Sequence, residues 1–236
     1  MKLRIKFRKF GPIKFIGHLD VMRFFQKALR RADIDVAYSG GFSPHQIMSF
    51  AAPLGVGLES NGEYFDVEVL SPISSREFMD RVNAVSVPWI QITDARLLPD
   101  KAGNAMASVA AAGYTIRFRE GRELGAGWQK KFEQFISQPQ ILVTKATKRG
   151  TAEIDLKPAI YDYQIKDDHV YLLVNASSEG NIKPTLVMEA FAAYLCEEIQ
   201  ENSLMITREE TYGGKVEKDG NVKFIPLAEY GEWMES

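Results

Sequence analysis

The side chains able to exchange a proton near neutral pH are few: His18, His45 and His169. His45 lies within the stretch "YSGGFSPHQIMSF", residues 38–50, in which two glycines, a Ser-Pro step and a histidine run into an apolar segment. It could act as general base on a phosphodiester, with Tyr38 or a lysine stabilising the phosphorane, and His18, in "GHLD", is a second candidate. Neither a Walker loop nor a dinucleotide fingerprint fits, although a turn of this kind can still expose its amides to a phosphodiester. The loop lacks Gly-Lys-Ser/Thr, and its glycines precede an apolar strand instead of a helix N-terminus. No nucleophile elbow surrounds Ser39, Ser43 or Ser49. "HLD" offers too few ligands for zinc, so no metal and no cofactor is expected. The remaining reading is a recognition loop. Gly40 and Gly41 permit the turn, Gly41 with positive φ, while Ser43 and His45 face a cleft.

The second chemical signal is charge. The net charge is −2, yet between Lys2 and Arg31 stand ten Lys or Arg and one acid, Asp20. In "LRIKFRKF" the alternation puts Leu3, Ile5 and Phe7 on one strand face and Lys2, Arg4, Lys6 and Arg8 on the other. In "HLDVMRFFQKALRRA" Met22, Phe25 and Leu29 form an apolar helical stripe, and Arg23, Lys27 and Arg30 a cationic one. These seven cations are the candidate nucleic-acid-binding set. Glu63, Asp66 and Glu68 read as a solvated strand face.

These residues must be positioned by alternating strands and helices. From residue 1 to 99 the order is strand, helix, two strands, helix, strand, the ferredoxin-like arrangement; Ser74 with Glu77 marks the start of the second helix as a capping box. "YTIRFREG" echoes "LRIKFRKFG" 111 residues on, Ile5-Lys6-Phe7-Arg8 matching Ile116-Arg117-Phe118-Arg119 in kind. A second ferredoxin-like unit with extra strands and a C-terminal tail is therefore expected over 113–236. The fold class is α+β: two such units in tandem with packed antiparallel sheets. Cys196, the only cysteine, falls in the apolar helix "TLVMEAFAAYLCEEIQ" and reads as a buried thiol; one cysteine allows neither a disulfide nor a cysteine-ligated cluster within the chain. The N-terminus lacks a signal-peptide core and no segment is a charge-free membrane span, so cytoplasmic residence without membrane contact is expected.

The residues "GHLDVMRFFQKALRRADIDVAYSGGFSPHQIMSFAAPLGVGLESNGEYFDVEV" resemble the radical-SAM-linked protein family, strongly over residues 1–70 and more weakly through "KRGTAEIDLKP" and "GNIKPTLVMEA". In that family a domain like this occurs alone or attached to the end of a cobalamin-binding radical SAM protein. Where many members carry His-Pro and then a basic residue, this chain has His45-Gln46-Ile47. The chain is also distantly similar, at the level of fold, to CRISPR-repeat processing endonucleases, which place RNA on a basic surface. The resemblance implies a radical SAM partner, and with the basic segment it favours a non-catalytic module binding RNA or another substrate for that enzyme. The alternatives are a metal-independent RNA endonuclease using His45 or His18, and a protein-interaction scaffold without nucleic acid.

Overall fold

The computed structural model describes residues 1–147, 150–217 and 219–235. The chain divides into two compact units, residues 1–110 with 208–236 and residues 111–207.

The first unit begins with strand β1 (Lys2–Lys9), whose Leu3, Ile5 and Phe7 are buried, and helix α1 (His18–Arg31), which turns Val21, Phe25, Ala28 and Leu29 onto them. Asp20 in the first turn of α1 and Arg30 and Arg31 in the last complement the helix dipole. Strands β2 (Met48–Phe50) and β3 (Glu59–Glu68), helix α2 (Ser75–Ala84) and strand β4 (Ile90–Leu97) follow. The strand order β4-β1-β3-β2, antiparallel throughout, is that of a ferredoxin-like unit. Ser74 caps α2 as its spacing to Glu77 predicts, accepting from the Glu77 amide at 3.2 Å. Between sheet and α1 the rings of Phe7, Phe25, Phe50 and Phe65 pack with centroids as close as 4.7 Å. Each such buried ring contributes about 1.5–3 kcal/mol.

A short helix α3 (Ala105–Ser108), capped by Asn104, leads into β5 (Val109–Phe118). The second unit repeats the plan. β5 is followed by α4 (Trp128–Ile136), a hairpin of β6 (Leu142–Thr147) and β7 (Gly150–Asp155), β8 (Ile160–Ile165), β9 (His169–Asn175) and α5 (Pro184–Tyr194). Strand β10 (Leu204–Val216) completes it, giving the order β10-β5-β9-β8 with β6-β7 as an insertion. Phe132, Phe135 and Phe191 pack α4 on α5. Helix α5 stops at Tyr194, short of the expected length, so Cys196 lies beyond it, exposed, with φ of 57°; the buried-thiol reading fails because the residue has left the helix face that carried it.

The domain boundary also differs from the expectation of a second unit running from 113 to 236. From Arg208 onward β10 lies in the first unit beside β3, with β11 (Val222–Pro226) and β12 (Glu232–Trp233), which pairs with β4. Buried charges hold this segment. Arg208 donates to Glu63 at 2.8 Å and to the Ala52 carbonyl, and Tyr64 and Lys6 donate to the Glu210 carboxylate at 2.8 and 2.6 Å. Arg4, 1% exposed, forks onto Asp66 with bonds of 2.8 and 3.0 Å and reaches the Gly103 carbonyl. Glu63 and Asp66 are 6% and 2% exposed, so the solvated-face reading of that strand does not hold: parity along β3 leaves open what covers its second face.

The fork yields a stability prediction. Arg4→Ala leaves the buried Asp66 without its bidentate partner, with only Lys2 at 3.7 Å, and is expected to cost about 3 kcal/mol. Asp66→Asn with Arg4→Met, which removes both charges, should recover much of that loss. Urea midpoints of the three proteins decide; equal midpoints for Arg4→Ala and wild type would contradict it.

Candidate nucleic-acid interface

Of the seven candidate cations, the four on β1 are engaged inside the first unit. Arg4 is held by Asp66, Lys6 by Glu210, and Lys2 lies 3.7 Å from Asp66. Arg8 stacks on the Phe10 ring at 4.4 Å, with its Nε buried and without a hydrogen-bond partner. The alternation puts them on one face as expected, where β3 offers Asp66 to Lys2 and Arg4, β10 offers Glu210 to Lys6, and the turn at Leu227–Tyr230 adds a carbonyl to Arg4. The other three, Arg23, Lys27 and Arg30, stand exposed on α1 with Arg31; among the described residues only Arg23 of these has an ion pair, an exposed one to Asp20 at 3.3 Å.

Beside this stripe lies the loop. Tyr38 bridges to Gln46, the Ser39 amide donates to the His45 carbonyl at 2.8 Å, and the His45 amide donates to Ser39 Oγ at 3.1 Å. The stretch is therefore a hairpin, and its tip carries Gly41 at φ of 100° and Phe42 with its whole side chain in solvent. Gly40 does not take a positive φ. Ser43 is exposed. Gln46 Nε2 donates to the Gln26 carbonyl of α1 at 3.2 Å, which fixes the hairpin against the helix that bears the cations. Arg30 and Tyr38, half-exposed, line one pocket.

His45 is exposed, not packed in the core, and its Nδ1 lies 2.8 Å from Ser39 Oγ. That Ser-His distance suits nucleophile activation, but among the described residues no carboxylate bonds the ring to orient it, as the triad logic requires. His18 sits apart. It opens α1, about 12 Å along the helix axis from Gln26, with its ring edge-on to Phe50 at 5.1 Å. Burial pushes its pKa down, against the pull of Glu63 and with a further push from Lys9. Lys9, 2% exposed, donates to the Ile16 carbonyl, and burial also lowers its pKa, opposed by Glu63 and aided by Arg208. The structure thus assembles Lys9, His18, Glu63 and Arg208 as an inner polar cluster that sequence spacing does not signal, since its members come from three strands and a helix. His169, in the second unit, bonds Asp168 at 2.6 Å, and that bond with one from Arg117 holds the Asp168 carboxyl down to about 2. Phe42 was absent from the sequence-level candidates; the signal for it is an aromatic residue set between Gly-Gly and Ser-Pro, where no periodic apolar face can bury it.

Residues 2–184 match the model of an uncharacterized protein conserved in bacteria, DUF2344. The chain belongs to that family. No curated protein matches it. Among solved structures, a crystal structure of a Cbf5–Nop10–Gar1 complex aligns with 89% of this chain and 48% of its own at 11% identity, with a TM-score of 0.45; the chain thus spans about half the length of that one. Among the described residues no helix is long and apolar enough to cross a membrane.

Two outcomes are expected. Gly41→Val has space for its side chain but not the backbone preference, and should cost about 1–3 kcal/mol, read as a lowered unfolding midpoint. For His18, the folded pKa lies below the usual 6.5, so its stabilising contribution is complete above about pH 6.5 and is lost as pH falls through the lower folded value. His18→Gln should flatten the fall in stability across that window; an unchanged acid limb would contradict the assignment.

Proposed function

We propose that the protein is a non-catalytic RNA-binding module that serves a radical SAM enzyme. The observation that carries the RNA reading is the fully exposed Phe42 on a hairpin bonded to the cationic helix α1. Cations of α1 attract a phosphate backbone, and an exposed ring offers a stacking platform to an unpaired base. The hairpin's internal bonds fix the platform before RNA arrives, which limits the ordering cost of binding. The β1 cations act differently in this reading. Lys2, Arg4, Lys6 and Arg8 shape the unit from within and set its field, without touching phosphate. The radical SAM partner rests on the sequence resemblance over residues 1–70. A lone cysteine leaves any iron–sulfur cluster to that partner.

The test is fluorescence anisotropy with single-stranded RNA across a salt series. Replacing Arg23, Lys27 and Arg30 by Glu should weaken binding at least tenfold at low salt and reduce the log–log salt slope by about 2. Phe42→Ala should cost about 1–3 kcal/mol of affinity with the slope unchanged. Absent affinity at low salt, or affinity indifferent to the triple substitution, overturns the reading; a radical SAM complex that survives ribonuclease in that case would point to a protein scaffold.

A further inference from the structure

The exit of α1 borders a pocket of about 470 Å³, a volume suited to one nucleotide. Its walls include Arg30, Asp33, Asp35, Tyr38, Ser71 and Arg81. The Arg81 guanidinium is committed to the protein: it donates to the carbonyls of Ala32 and Asp33 and pairs with Glu77. Arg30 has no ion pair among the described residues. Asp35 accepts the Ser71 hydroxyl through one carboxylate oxygen, which orients the group. Tyr38 presents a half-exposed ring. The wall's two cations, Arg30 and Arg81, balance its two carboxylates, and Asp33 lies 3.6 Å from Arg81, so among the described residues Arg30 and Asp35 are the charges left without an ionic partner, one suited to a phosphate and the other to hydrogen-bond donors.

We infer that this pocket recognises a guanine base, with the Asp35 carboxylate accepting from its N1–H and N2–H, Tyr38 flanking the ring and Arg30 meeting the phosphate. A carboxylate accepts two parallel donors, and among the four RNA bases guanine alone offers two adjacent N–H donors on its Watson–Crick edge. The hydrogen bond from Ser71 leaves acceptor capacity on both carboxylate oxygens. The inference deepens the RNA reading by naming the base and rests on it for the biological ligand, but the pocket's selectivity stands on its own geometry.

Titration of the full chain with guanosine, inosine, adenosine and uridine 5′-monophosphates, followed by calorimetry, tests it. Inosine lacks only the 2-amino group. Guanosine monophosphate should bind at least tenfold tighter than the inosine form, and Asp35→Asn should abolish that difference while leaving the unfolding midpoint near wild type. Equal affinity for the guanosine and inosine forms, or no binding at millimolar concentration, overturns the inference from the wild-type protein alone, whatever the variant's stability. The companion measurement uses uridine-only RNA and the same RNA with one guanosine. Binding of both with equal affinity would leave the RNA reading standing and the pocket assignment refuted. Selective mononucleotide binding without RNA binding would do the reverse.

Discussion

The guanidinium of Arg4 clasped on Asp66 constrains the first unit more than any other contact. A buried cation of that size is tolerable only when its donors are met, and Arg4 meets them with a bidentate carboxylate and backbone carbonyls from the chain before β5 and near the C-terminus. The same demand repeats along the sheet, where Arg208 satisfies Glu63 and Lys6 satisfies Glu210. Each pairing joins strands far apart in sequence. Together they tie the C-terminal segment to the sheet, because it supplies Arg208 to the buried Glu63, Glu210 to the partly buried Lys6 and a carbonyl to Arg4. The apolar core supplies the larger energy, but the charges select one arrangement of the strands around it.

The division of labour among the basic residues follows from this. One face of β1 carries the apolar side chains and the other meets the ion-pair layer, so neither side is left as a cationic surface. Helix α1 packs on the sheet by one stripe and has nothing over the opposite one, so the cations there remain in solvent. The second unit shows the contrast. Its first strand repeats the pattern, yet Arg117, the counterpart of Lys6, pairs at the surface with Asp168. Common topology does not impose common electrostatics; the covering segment does.

Much of the framework was legible in the sequence because it follows from periodicity and local capping. The alternation of β1, the stripe of α1, the Ser74 cap and the repeated strand–helix order all depend on residues close in the chain. What escaped depends on distant partners. Glu63 and Asp66 look solvated until Arg208 and Arg4 are beside them. Strand β10 reads as the end of one unit, whereas its later residues complete another. Cys196 follows an apolar helix whose last turn ends two residues earlier, and periodicity gives no stop signal there. At the candidate site the glycine turn and the exposed histidine were legible, while the pocket formed by Asp35, Tyr38 and Arg81 gathers residues from separate elements and has no signature in spacing.

The hairpin at residues 38–46 is where local preference and observed structure disagree most. A phenylalanine gains stability by burial, yet Phe42 is wholly exposed on a tip whose backbone is bonded on both strands and tied to α1. A floppy loop could fold the ring back onto the unit; a braced one holds it out. The bracing therefore works against the hydrophobic effect within the isolated protein, a conflict between levels of the kind expected at functional or strained positions. The cations on the adjacent helix limit what could relieve it. An apolar protein surface would desolvate Lys27 and Arg30 without compensation, and the proposed RNA ligand is the reading in which one partner meets both the ring and the charge.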